Sequence, residues 1–296
     1  MELIEAVTSS SVRLMVPLLL AMLGELISER AGILNVGLEG MMTAGAFAGF
    51  IASVTLFNIP MAICIAALAG MVVASAMAAG TVWLKGNAIL VGFSLFILVP
   101  GIANFLYIQG GWTEAAPAVP ILRVPVLSDI PVIGSALFAH NAFYFLAVIL
   151  TAAVWFLFAR TRVGLVISAV GHDPRAAESK GVSARWVQTL ALLTCGAFAG
   201  ISGASLSLGA VGSYVPDIIG GRGFIVIAIV ILGRWTVPGA VAGGFLLAVL
   251  DAIKLSLAQQ PGVPVQLLGA LPWVVVIAML IISANMRSNA PRTLVH

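Results

Sequence analysis

Long apolar runs follow one another almost without interruption, at residues 11–27, 33–56, 60–83, 88–107, 141–159, 187–209, 223–233, 237–257 and 267–284. Crossing a hydrocarbon core takes about 20 apolar residues per helix, and shorter pieces survive at membrane depth only when protein surrounds them. All these runs except 223–233 are candidates to cross; that one is too short to do so unaided. Apolar side chains make up 61% of the 296 residues and charged ones 8%, so no soluble fold could hide so much hydrophobic surface. The expected fold is all-α: a polytopic helical membrane protein of about 8–10 transmembrane segments, with inverted repeats and broken helices, built as one domain over residues 1–296.

Charge distribution orients it. The stretch 160–186 carries Arg160, Arg162, Arg175, Lys180 and Arg185, whereas the equally long stretch 108–140 carries only Arg123. The positive-inside bias puts 160–186 in the cytoplasm, and Arg287 and Arg292 favour the same side for the tail. With the tail on that side, an odd number of crossings is expected between loop and tail: the three full-length runs, with 223–233 not crossing, whereas four would place the tail outside. The Gly- and Ser-rich stretch from Ser205 to Asp217 reads as further broken helix. Residues 11–107 and 187–284 repeat a similar layout on either side of the cytoplasmic loop, the arrangement of inverted halves.

A net charge of +3 with basic residues scattered through loops gives no nucleic-acid footprint. Cys64 and Cys195 lie inside apolar runs without metal or disulfide spacing, and His140, His172 and His296 are far apart, so neither a metal site nor a catalytic cluster is expected. No cofactor signature is present, and the absence of a Gly-x-x-x-x-Gly-Lys-[Ser/Thr] motif means that the chain is not itself an ATPase. The N-terminus lacks the basic region of a cleavable signal, so the first run is expected to remain a membrane helix.

Polar residues at membrane depth are costly, and two glycine-rich clusters hold them. In the first, Asn35 and Glu39 follow Glu25, Glu29 and Arg30; they either brace a broken helix or line a pathway. In the second, Tyr214, Asp217, Arg222 and Phe224 surround the start of the short run, where free backbone N–H groups could meet a polar ligand or an Asp217–Arg222 ion pair could fix the turn. Asp251 and Lys254 read as a local i,i+3 pair. Gly45 with Gly49, Gly196 with Gly200, and Gly239 with Gly243 read as close-packing pairs. In the cytoplasmic loop, His172-Asp173-Pro174-Arg175-Ala176-Ala177-Glu178 through Gly181 reads as a complete short helix: Asp173 caps it, Pro174 fits its first turn and Gly181 stops it. Such a helix suits docking to a partner, or lying on anionic headgroups of the membrane lipid.

Four stretches, Gly24–Gly40, Ala169–Glu178, Gly221–Phe224 and Leu232–Trp235, resemble bacterial ABC-importer permeases of the branched-chain amino acid and simple-sugar class. Within that class the chain is similar to the shorter permease of nucleoside importers. The resemblance implies an inner-membrane permease subunit, not an enzyme. It also implies ABC ATPase subunits, a second related permease, a periplasmic or lipid-anchored substrate-binding protein, and a small polar substrate such as a nucleoside. It further implies that 172–181 is the coupling helix that docks on the ATPase. Where relatives often show an Asp-Gln pair ahead of the fourth helix, this chain has Lys85-Gly86-Asn87. The competing class is an ion-coupled secondary transporter, with Glu39 as its ion site.

Overall fold

The computed structural model describes residues 2–112, 114–123, 139–258 and 290–295, with positions 274, 275, 277, 278 and 281 between them. Among these, seven helices are long and apolar enough to cross a membrane. The chain runs through α1 (Glu2–Arg30), α2 (Leu38–Leu56), α3 (Ile59–Ala78, continued by a π-helical turn to Trp83), α4 (Ala88–Gly110), α5 (Ala142–Arg160), α6 (Arg162–His172), α7 (Pro174–Ser179), α8 (Ala184–Ala204, continued by a π-helical turn to Val211), α9 (Arg222–Leu232), α10 (Val237–Ala258) and α11 (Arg292–Val295). One small departure from an all-α fold is an antiparallel pair of strands, β1 (Ile121–Arg123) and β2 (Ala139–Asn141), in the stretch between α4 and α5.

Glycines set how closely the central helices pack. A side chain at Gly45 would run into the Gly200 backbone, one at Gly203 into the Met42 carbonyl, and one at Gly70 into the Gly196 carbonyl. The Gly45/Gly49 and Gly196/Gly200 pairs thus form one three-helix seam of α2, α3 and α8, and Gly239 sits against Gly233 where α10 meets α9. Helix α1 lies inside the bundle, its apolar side chains Leu20, Ala21, Met22, Leu23 and Leu26 fully buried. By contrast α4 and α5 leave long apolar faces exposed, including Leu90, Ile97 and Phe105 on α4 and Ile149 and Trp155 on α5.

These contacts also give direction. The α5–α8 connection is cytoplasmic by its charge, so α8 runs outward from Ala184. Gly45 against Gly200 and Gly49 against Ala204 make α2 parallel to α8, whereas Gly70 against Gly196 and Ala66 against Gly200 make α3 antiparallel to it. Helix α1 runs inward, since Gln188 near the start of α8 donates to the Ala31 carbonyl. The chain 31–37 then turns back into the membrane, so that Asn35 reaches Cys195 on α8. Cys195 stands eleven residues beyond Ala184, or ~16 Å along the helix at 1.5 Å per residue, about half the core thickness. Helix α2 therefore starts at mid-depth and runs outward. Helix α9 starts beside it, at Glu39, and runs inward to the Trp235 turn, which meets Glu29 and Arg30.

This corrects the expectation of three crossings. The stretch 212–232 crosses as a whole, first as irregular chain and then as α9, and two ends on one side require an even number. The tail lies on the cytoplasmic side, where Thr293 donates to the Gly171 carbonyl at 2.7 Å. The run 267–284 needed for the fourth crossing lies outside the described residues except at the five positions named above, as does Arg287.

The loop 160–186 also holds more helix than expected. Helix α6 is capped by Thr161, whose hydroxyl accepts from Gly164 N at 3.2 Å, and it buries Gly164, Ile167, Val170 and Gly171. That spacing is a helical stripe, short enough to be read as loop beside the longer runs.

Candidate functional site

The four motif stretches, far apart in sequence, meet in one region reaching from mid-membrane to the cytoplasmic surface. At mid-depth Glu25 accepts from Asn35 N through one oxygen (3.0 Å) and from the Cys195 thiol through the other (3.5 Å). The Asn35 amide donates to the Cys195 and Met41 sulfurs, each at 3.3 Å. Deeper toward the cytoplasm, Glu29 accepts from the Trp235 indole and Arg30 donates to the Trp235 carbonyl at 2.8 Å, while its guanidinium lies 4.6 Å from the centre of the Phe158 ring. Arg234 and Trp235 are both held in left-handed backbone, φ +55° and +54°. Such conformations cost ~1–3 kcal/mol each and persist where the surroundings hold them; Glu29 and Arg30 grip Trp235 from two sides.

Glu39 closes the second cluster. Its carboxylate accepts from Gly221 N at 2.7 Å and from Gly223 N at 2.8 Å, occupying the free N–H groups at the start of α9. The N-terminus that could have received a polar ligand is therefore filled from within the chain. Arg222 donates to the Ile218 and Ile219 carbonyls at 3.2 and 3.1 Å instead of pairing with Asp217, so the ion pair, the alternative reading of this turn, does not form: backbone acceptors three and four residues back lie closer to hand. The Asp251–Lys254 pair does form, at 4.0 Å.

Of the residues proposed from sequence for a pathway, Asn35, Glu39 and Tyr214 turn inward and are buried. Tyr214 donates to Asn104 at 2.7 Å and packs against Phe47 and Tyr107, tying the irregular segment to α4. Asp217 is exposed, at φ +61°, and Arg222 and Phe224 are half-buried. Phe224 meets Phe96 and Phe93 of α4 with ring centres 5.1 and 6.1 Å apart, forming an aromatic patch that sequence reasoning missed because its members lie on two helices.

Helix α7 has the expected form. Asp173 accepts from Ala176 N at 3.0 Å, Pro174 opens α7, and Gly181 lies just beyond its end at φ +81°. His172 bonds the Ser168 carbonyl at 2.9 Å. Arg175, Ala176 and Glu178 are exposed, but Ala177 is buried against Val170 and Ala184, a small apolar joint fastening α7 to α6 and α8.

A bundle of spanning helices, with α2 and the short α9 both starting at mid-depth and a capped cytoplasmic helix beneath, is the arrangement of a membrane permease. Residues 7–284 match the family model of the branched-chain amino acid transport system permease component, and the chain belongs to that family. It is 38% identical over 257 residues to a Haloferax volcanii protein assigned as the glucose ABC transporter permease TsgC13, covering 83% of this chain and 78% of the relative. It is 32% identical to the nucleoside ABC transporter permease NupC of Lactococcus lactis subsp. cremoris (89% and 87% covered). A second Haloferax volcanii protein, the glucose ABC transporter permease TsgB13, is 28% identical (90% and 73% covered). No solved structure matches the chain. The protein is thus a multi-pass ABC transporter permease, a transport component and not an enzyme, working with ATPase and substrate-binding partners.

Proposed function

We propose that this permease pairs with a second, related permease and imports a small polyhydroxylated solute, a nucleoside or simple sugar, across the cytoplasmic membrane. The observation that carries this reading is the patch where Phe224, at the start of α9, meets Phe93 and Phe96 of α4, with the exposed Asp217 in the turn that leads into α9. Aromatic faces suit a base or sugar ring, and a carboxylate suits hydroxyl donors. Relatives named for glucose and for nucleosides support the substrate class, and TsgC13 and TsgB13, two permeases from one organism, support the pairing. The second subunit would face the exposed side of α4, with Asp217, Arg222 and Phe224 toward the pathway and Asn35, Glu39 and Tyr214 bracing it from behind.

The two halves fit an inverted repeat over 11–107 and 187–284. Helix α1 runs inward, the chain breaks, α2 restarts outward and α3 returns; α8 runs outward, the chain breaks, α9 restarts inward and α10 returns. Each break brings the chain to mid-depth, where the next helix starts, the level at which broken helices form substrate sites in such folds. An ion-coupled mechanism is less well supported, since both Glu39 oxygens are already engaged by backbone N–H groups.

In this reading α7 docks on the ATPase through its exposed residues His172, Asp173, Arg175, Ala176 and Glu178, while Pro174, Ala177 and Gly181 shape the element. The test is reconstitution of the full transporter in proteoliposomes, followed by ATP-dependent uptake of labelled uridine, ribose, glucose and leucine. Uptake of one of the polyhydroxylated solutes, insensitive to an uncoupler, is expected. Uptake of leucine alone would reject the substrate class, and uptake without ATP would reject the mechanism.

A further inference from the structure

A cavity of 810 Å³ lies on the cytoplasmic side, away from the Phe224 face, between the end of α1, the end of α3, the start of α8, the coupling helix and the tail. Its polar lining includes Lys85, Arg185, Gln188, Glu178, Thr81 and Glu29. Gln188 is engaged with the Ala31 carbonyl. Lys85 and Arg185 are exposed cations, both beside the same opening. Lys85 also holds left-handed backbone, φ +55°, a conformation that non-glycine residues adopt only under constraint and that gathers at functional positions. At the inner end Glu29 is fully buried; one oxygen accepts from the Trp235 indole, and the other, Oε1, receives no N–H or hydroxyl donor and has the Glu25 carboxyl as its polar neighbour. This acidic pair holds more acceptor oxygens than donors, so a hydroxyl entering the cavity would find an acceptor there.

The rim shows where that donor would come from. Trp83 and Trp186 meet edge to face with ring centres 5.3 Å apart, each within two residues of one of the cations. Tryptophan prefers the headgroup level of a bilayer, and Leu84 (80% exposed) and Leu90 (69% exposed) continue the apolar surface from that rim. We propose that this cavity binds the headgroup of an anionic phospholipid bearing free hydroxyls, of the phosphatidylglycerol type. Its phosphate meets Lys85 and Arg185, a headgroup hydroxyl donates to Glu29 Oε1, and its acyl chains follow the surface of Leu84, Leu90 and the tryptophan pair. Basic recesses between helices on the cytoplasmic side are a recurring setting for such headgroups. Because Pro174 and Glu178 of α7 wall the same cavity, the lipid lies under the element that meets the ATPase.

The test uses the purified full chain in nanodiscs of phosphatidylcholine doped with dioleoyl phosphatidylglycerol or dioleoyl phosphatidic acid, with retained lipid counted by native mass spectrometry. One phosphatidylglycerol is expected to stay bound, at least tenfold in preference to phosphatidylcholine and more firmly than phosphatidic acid, which lacks the extra hydroxyls. The double variant Lys85→Asn, Arg185→Gln should lose that preference; asparagine is chosen because it tolerates the left-handed backbone at 85. Quenching of wild-type tryptophan fluorescence by brominated phosphatidylglycerol, reduced in Trp83→Phe, Trp186→Phe, gives a second readout that does not depend on the charge variants folding. Equal retention of the two main lipids, or displacement by glycerol 3-phosphate or inorganic phosphate, would overturn the lipid assignment in favour of no site or a soluble phosphate ester. A double variant that keeps its lipid but no longer co-purifies with the ATPase would overturn it in favour of an ATPase contact.

Discussion

Glu39 and Gly223 are hydrogen-bonded across 184 residues of chain, the carboxylate Oε2 accepting from the glycine N–H at 2.8 Å. A side chain at Gly223 would press on the Glu39 backbone and carboxylate, so the glycine is what allows the approach. Glu39→Gln turns one acceptor into a donor aimed at a backbone donor, at a cost of about 2–3 kcal/mol. A clear fall in melting temperature in detergent is expected for Glu39→Gln and for Gly223→Ala, with the double variant less destabilised than the sum. Strict additivity would show that the two residues are not coupled.

Gly203 faces the Met42 carbonyl with no room for a methyl group, whereas nothing lies within 4 Å of a Cβ at Gly101. Gly203→Val should cost about 3 kcal/mol through forced separation of α2 and α8, and Gly101→Ala should be neutral or slightly stabilising. Thermal stability of the two purified variants, compared by size-exclusion fluorescence, checks the contrast.

If α7 is the contact with the ATPase, its exposed and buried positions should respond differently to substitution. Arg175→Glu changes an exposed residue and should leave membrane expression intact while lowering substrate-stimulated ATP hydrolysis several-fold. Ala177→Arg would instead split the joint with Val170 and Ala184, so lost expression there would report on folding rather than docking. Retained coupling in Arg175→Glu, with normal ATPase co-purification, would move the docking contact elsewhere.

At the aromatic patch, Phe224→Ala removes the face shared with Phe93 and Phe96, and Asp217→Asn removes an exposed charge without touching the core. Both should raise the KM for uptake by about tenfold, Asp217→Asn with little change in melting temperature and Phe224→Ala with a modest fall from the lost ring contacts. Tyr214→Phe should do the reverse, lowering stability by about 1 kcal/mol through loss of the Asn104 bond while KM holds. Transport assays paired with melting curves separate the three.

Local chemistry was readable in advance wherever one stretch of chain sufficed. Asp173, Pro174 and Gly181 delimit α7 as expected, and the spaced glycines of α2 and α8 meet in one seam. The breaks near Gly32 and Gly212 were readable from glycine and polar content, and both glycines do take positive φ, +88° and +79°. What escaped was pairing at a distance: no local pattern joins Glu39 to Gly221, Glu29 to Trp235, or Phe96 to Phe224. Asp217 and Arg222 misled for a related reason, since opposite charges five residues apart suggest a pair only until nearer carbonyls compete.

The cap on α9 also sets a problem of timing during synthesis. Glu39 emerges 182 residues before Gly221, which at 5–20 residues per second is a wait of roughly 10–40 s. Throughout that interval the carboxylate that belongs at mid-membrane lacks the two backbone donors it meets in the finished fold, and an ionisable group at membrane depth disfavours insertion by up to roughly 2.5–3.5 kcal/mol on the translocation scale. Helix α2 therefore has to be held at the protein-conducting channel, or enter the bilayer late, until the second half of the chain arrives. Truncated nascent chains ending before residue 221 should stay crosslinkable to the translocation machinery through α2, and chains extended past the start of α9 should be released.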